Sequence, residues 1–322
     1  MSKRTSIGLT AIAAVLGLAV AGCAGAKSDA GSAAKPSGAA GTVNLAVNPW
    51  VGYEADAAVV GYLLEHKLGY TVHKKTLKEE ISWQGFETGE VDAVLENWGH
   101  EDLKKIYIEQ KKVAVEAGST GNKGNIGWYV PQWMVDKYPD ITDGKNLNKY
   151  AALFKTSESG GKGQFLAGDP SFVTNDAALI TNLKLNYQVV YSGSEAAIIK
   201  AAQQATAQQK PLLFYFYSPQ WLFAKEKYVR VQLPPYTAGC DKDPKKVACD
   251  YPDYDLDKIV SKKFADSGGA AYQLIRNFHW TNDDQNKVSD YITNQGMSAE
   301  KAGQKWVEEN EATWKPWIQG GS

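Results

Sequence analysis

Gly89-Glu90-Val91-Asp92-Ala93-Val94-Leu95-Glu96-Asn97-Trp98-Gly99-His100 decides how the chain is read. Gly89 is a stop signal for the helical pattern Ile81–Thr88, Val91–Leu95 is a short apolar run of strand type, and Glu96–His100 is a loop that ends the strand on a tryptophan. Working upstream, Tyr70–Lys74 reads as a strand. Glu54–Leu68 reads as a helix with Ala57, Val60, Leu63 and Leu64 on one face and Gly69 at its end, and Val43–Val47 as a first strand. Downstream, strands are predicted at Gly127–Val130, Gln164–Ala167, Val189–Tyr191, Leu212–Tyr217 and Tyr228–Leu233. Helices are predicted from Pro131 through Trp133, at Asn175–Leu185 and at Ser194–Gln209, and Leu256–Trp317 reads as mainly helical. Strands alternating with helices predict an α/β body with a largely parallel sheet.

The N-terminus predicts export. Lys3 and Arg4 precede an apolar run, Ile7–Val20, too short and glycine-rich for a comfortable membrane span. Val20-Ala21-Gly22-Cys23 resembles a bacterial lipobox, so 1–22 is expected to be a lipoprotein signal peptide and Cys23 the lipidated first mature residue. The stretch 23–42 is almost all Ala, Gly and Ser and cannot bury enough apolar surface to fold. As a coil of about 19 residues it spans roughly 24 Å root-mean-square, a tether that keeps an anchored body free to reach a membrane partner. Cys240 and Cys249 flank a polar loop, and outside the cytoplasm such a pair is most simply a disulfide.

Composition excludes several functions. With Lys3 and Arg4 removed, 33 basic residues face 36 acidic ones, and no basic stripe suggests nucleic acid. His66, His73, His100 and His279 are scattered without a zinc-binding spacing. No Gly-x-Ser-x-Gly elbow, phosphate loop or free nucleophilic cysteine is present, so no enzyme and no cofactor are expected. The unusual feature is aromatic: 10 Trp and 17 Tyr. Trp50, Trp98, Phe172, Tyr215, Tyr217 and Trp221 all fall near the ends of predicted strands, where loops of α/β folds gather around a cleft. Such a set suits a quaternary ammonium, which cannot donate a hydrogen bond but is attracted to aromatic faces at roughly 0.5–2 kcal/mol each. Any one of these rings is equally well explained as core.

Trp83-Gln84, Gly89–Trp98, Gly168-Asp169-Pro170-Ser171-Phe172 and Phe214-Tyr215-Phe216-Tyr217-Ser218-Pro219-Gln220-Trp221 together resemble the glycine betaine/proline betaine/choline-binding proteins of ABC importers. The resemblance runs from about Val43 to Trp317. It implies a two-lobed, periplasmic-binding-protein-like fold of type II with the ligand in a cleft. The expected lobes are 43–130 with 235–318, and 131–234. It implies a ligand cage including Trp98, Phe172 and Tyr217, the last two standing where relatives often carry Trp, and a membrane permease as partner. The chain is expected to be a monomer that touches the membrane only through its lipid.

The ligand's anionic end needs donors. Val173 and Thr174 precede a predicted helix start, where free N–H groups favour an anion, although Thr174 also suits an N-cap. His100 stands near a position where some relatives bring a His to the ligand carboxylate. Glu54 and Glu96 can each reach a cleft beside Trp50 or Trp98 and favour a cationic guest. Otherwise Glu54 is a charge at a helix start and Glu96 a solvated loop residue. The sequence therefore points to a glycine betaine-like solute, with choline or another cationic metabolite such as ergothioneine as the alternative.

Overall fold

The computed structural model describes residues 40–172 and 174–319. The expected signal peptide, Cys23, most of the tether and Val173 lie outside the described residues. Among the described residues nine strands form one sheet: β1 (Thr42–Val47), β2 (Thr71–Thr76), β3 (Ala93–Asn97), β4 (Ala114–Pro131), β5 (Gly163–Ala167), β6 (Tyr187–Tyr191), β7 (Phe214–Ser218), β8 (Tyr228–Arg230) and β9 (Asp253–Ser261). The helices are α1 (Val51–His66), α2 (Glu79–Thr88), α3 (Glu101–Lys104), α4 (Gln132–Lys137), α5 (Leu147–Tyr150), α6 (Asp176–Asn182), α7 (Glu195–Ala207), α8 (Leu222–Lys225), α9 (Lys262–Ser267), α10 (Ala270–Asn277), α11 (Asn282–Thr293), α12 (Ala299–Glu309) and α13 (Glu311–Gln319).

The sheet order is β2-β1-β3-β9-β4-β7-β5-β6, with β8 against the end of β4. Strands joined through helices pair in parallel, as β1 does with β2 and β3, and β5 with β6 and β7. The largely parallel sheet expected from the sequence is corrected at the centre, where β3–β9, β4–β9, β4–β7 and β4–β8 are antiparallel. The reason is β9. It lies where Leu256–Trp317 was expected to be helical, and it is a strand because Asp253, Asp255 and Asp257 alternate with Tyr254 and Leu256. Strand β4 is also far longer than the expected Gly127–Val130: residues 114–125 pair with β9, and 125–129 with β7. One strand thus belongs to a half of the sheet built on β1–β3 and to a half built on β5–β7.

Helix α1 is buried almost all round because its Ala, Val and Leu face both the sheet and the C-terminal helices. Gly303 lets α12 close on it, since a Cβ there would stand 2.4 Å from the Ala58 carbonyl oxygen. Burial of Leu63 and Leu64 contributes about 2 kcal/mol each. Gly89 adopts the left-handed conformation that ends α2. Much of the aromatic content is core: Trp280 meets Trp306 edge-on, Trp306 stacks on Trp317, and Phe278 packs against both Trp280 and Trp317. The Cys240–Cys249 disulfide forms in the loop between β8 and β9.

Candidate functional site

Where the two halves of the sheet meet, Trp50, Trp98, Phe172, Tyr215, Tyr217 and Tyr254 surround a cavity of about 40 Å³, joined by Glu79, His100 and Ile126. Trp50 ends the turn between β1 and α1, and Trp98 follows β3. Phe172 lies in the loop after β5, Tyr215 and Tyr217 are in β7, and Tyr254 is in β9. The rings brace one another edge to face. Trp50 meets Phe172 at 5.7 Å, and Trp98 meets Tyr217 at 5.5 Å and Tyr254 at 5.6 Å. This is the geometry aromatic pairs prefer.

Backbone and buried acids hold the rings in place. Glu96 is only 2 % exposed, and its Oε1 accepts from Trp50 Nε1 at 2.7 Å and from Trp98 Nε1 at 2.8 Å, while its Oε2 accepts from Gln285 Nε2. The reading of Glu96 as a solvated loop residue is therefore corrected, and so is the reading of it as a charge for the ligand: its oxygens are spent on the two indoles and Gln285. Asp56 lies behind it, and burial, reinforced by the Glu96 charge, pushes the Asp56 carboxyl well up. Lys258, buried and donating to the carbonyls of Arg276 and Phe278, is pushed down to about 7 by desolvation.

The Phe172 loop is set in the same way. Asp169 Oδ1 accepts from Ser171 N at 2.7 Å, a turn that starts the loop. Gly168 leaves room for the Phe172 ring, 2.8 Å from where a Cβ would stand. Buried Asp176 accepts from Trp128 Nε1 and the Tyr251 hydroxyl, and Tyr251 in turn accepts from Asn175 N.

Among the described residues that line the cavity, Glu79 and His100 are the charged pair. They form an ion pair with both side chains nearly buried. Burial works against charge on His100, but hydrogen bonding and attraction from Glu79 outweigh it and raise its pKa. The tyrosine phenols of Tyr215, Tyr217 and Tyr254 are pushed up by burial and stay neutral. The cavity thus offers aromatic side chains for a diffuse cation and one acid–histidine pair for a polar end.

Of the residues singled out in the sequence, Trp50, Trp98, Phe172, Tyr215, Tyr217 and His100 come together here. Glu54 does not. It lines a separate open groove of about 460 Å³ with Lys74, Ser194 and Glu195, because α1 starts at Val51 and turns Glu54 away from the cavity. Thr174 is not the N-cap of α6, which is Asn175, and it does not line the cavity. Trp221 is buried beside the site without lining it. Sequence reasoning missed Tyr254 and Glu79. The alternation around Tyr254 was a strand signal masked by three aspartates, which strands disfavour.

Residues 41–309 match the family described as the substrate binding domain of ABC-type glycine betaine transport system. The chain belongs to that family. It is a solute-binding protein rather than an enzyme, and its part is to bind a quaternary-amine solute for an ABC transporter. It is 23 % identical over 283 residues to the trimethylamine N-oxide-binding protein of Pelagibacter ubique (strain HTCC1062), covering 84 % of this chain and 88 % of the relative. Lactococcal OpuAC, closed on glycine betaine, superposes with a TM-score of 0.67 at 21 % identity, covering 86 % of this chain and 99 % of that one. A choline-binding protein of an ABC transporter, in complex with choline, superposes with a TM-score of 0.69 at 18 % identity, covering 87 % and 92 %. The expected two-lobed, periplasmic-binding-protein-like α/β fold is the fold of these structures. Among the described residues no helix is long and apolar enough to cross a membrane.

Proposed function

We propose that the aromatic cavity is the ligand site and that it takes a compact, fully methylated amine bearing an oxyanion, with glycine betaine as the leading guest. The observation that carries this reading is the ring of six aromatic residues closed around about 40 Å³. An enclosure this tight suits a compact methylated ammonium head rather than a long chain. Trimethylamine N-oxide, named for the relative in Pelagibacter ubique, fits the same requirements. His100 serves as donor to the oxyanion, and its pairing with Glu79 favours a zwitterion over choline because the acid already has a partner. Choline or a cationic metabolite such as ergothioneine is the second reading, favoured by the same acid at the cavity wall.

In this proposal Cys23 carries the lipid, 23–42 is the tether, and the body works on the outer face of the cell membrane as a monomer with its permease. Strands β1–β3 with the C-terminal helices form one lobe and β5–β8 with α4–α8 the other, near the expected limits of 43–130 with 235–318 and 131–234.

Calorimetry against glycine betaine, trimethylamine N-oxide, carnitine and choline tests the ligand class. No binding by a folded protein to any of them sinks the reading. His100→Gln is expected to weaken glycine betaine and trimethylamine N-oxide at least tenfold while changing choline less than threefold. Equal losses for all three would remove His100 from the oxyanion.

A further inference from the structure

Glu195 lines no part of the aromatic cavity, yet it is bonded to two of its walls. It opens α7 after the Ser194 cap, where an acid is ordinarily solvated, but it is only 7 % exposed. Its Oε2 accepts from Val51 N at 2.8 Å, an otherwise orphan N–H at the start of α1. Its Oε1 accepts from the Tyr217 hydroxyl and from Gln220 Nε2 at 2.5 Å. Val51 follows the cavity residue Trp50, and Tyr217 is itself a cavity residue. The partners lie on different halves: α1 stands on the β1–β3 side, whereas α7 and β7 belong to the β5–β7 side.

Among the described residues no Lys or Arg pairs with Glu195, and the charges that bear on it are the like charges of Glu96 and Glu54. Burial pushes the Glu195 carboxyl up to about 7 against the pull of its donors, here three of them together with the positive end of a 16-residue helix. If the halves part, the carboxylate loses Val51 and regains water, so the contact exists only in the closed arrangement. Trp50 against Phe172 and Trp98 against Tyr217 cross the same gap, but they line the cavity and report on the solute directly.

We propose that Glu195 is a clasp, a positioning residue whose one carboxylate holds the two halves closed and so sets how long a solute stays without touching it. The clasp rests on reading the cavity as the ligand cleft, and two measurements on the mature chain separate the two ideas. Small-angle scattering of the unliganded protein should show a larger radius of gyration for Glu195→Ala than for the wild type. Stopped-flow release of glycine betaine or trimethylamine N-oxide should be at least tenfold faster in Glu195→Ala, with the association rate within threefold. Glu195→Gln keeps one acceptor oxygen where the carboxylate has two, so its release rate should fall between those of the wild type and Glu195→Ala. Should Glu195→Ala fail to fold, Val51→Pro removes the N–H that reaches Glu195 from the other half, at a first helical position where proline is tolerated, and should speed release at least threefold. A wild-type radius of gyration in unliganded Glu195→Ala overturns the clasp whatever the solute is. Absence of any solute binding by the wild type overturns the ligand reading alone and leaves scattering to decide the clasp.

Discussion

Glu96→Ala is expected to lower affinity for the solute at least a hundredfold while the protein still folds. The carboxylate is buried and holds both indoles of the cavity, Trp50 at 2.7 Å and Trp98 at 2.8 Å, on one oxygen. A hydrogen bond to a charged group contributes about 1.5–3 kcal/mol, and two are lost at once, with Gln285 left without its acceptor. Part of that loss falls on stability, and the rest on the two ring orientations that make the cavity. A hundredfold change in affinity is about 2.7 kcal/mol, within what the two bonds supply. Glu96→Gln keeps the shape but can satisfy the two indoles only through its single oxygen and brings an amide N–H₂ against Gln285, so an intermediate loss is expected. Calorimetry paired with a melting curve reads both parts. Affinity within threefold of wild type in folded Glu96→Ala would show that the rings hold themselves.

Trp98→Ala is expected to weaken binding at least tenfold. Trp98 lies edge-on to Tyr217 from the opposite half and to Tyr254 from the central strand. Its removal takes away one face worth roughly 0.5–2 kcal/mol to a quaternary cation. It also frees two neighbours whose packing on it is worth about 1 kcal/mol each. Trp98→Phe should recover part of the loss, because the ring remains while the bond to Glu96 does not. An unchanged affinity in Trp98→Ala would move the solute elsewhere.

The sequence made the outer parts of this molecule legible and hid its centre. The β1–α1, α2–β3 and Ser194–Gln209 segments carry strong local signals: apolar periodicity, a stop at Gly89, a serine cap. Strand β9 carries a weak one. Its polar face is three aspartates, and its pairing with β3 and β4 is decided by residues more than a hundred positions away. The missed strand took the missed ring, Tyr254, with it. The aromatic cavity was legible as a set of rings at strand ends, although Trp280, Trp306 and Trp317 show how readily the same residue type builds core. The roles of Glu96 and Glu195 were not legible, because a buried acid differs from a solvated one only in what lies opposite it. Local pattern is silent on that.

Gly124 stands behind Trp98 on β4, and a Cβ there would sit 2.6 Å from the edge of the indole and 2.9 Å from Leu256. The width of the chamber is therefore governed from outside it, by a hydrogen atom on the far side of its wall. Gly124→Ala should drive the indole inward and exclude guests by girth, carnitine before trimethylamine N-oxide, as competitive calorimetry would show. Selectivity in such a receptor can then drift through positions that never meet the guest, leaving every residue that does meet it in place.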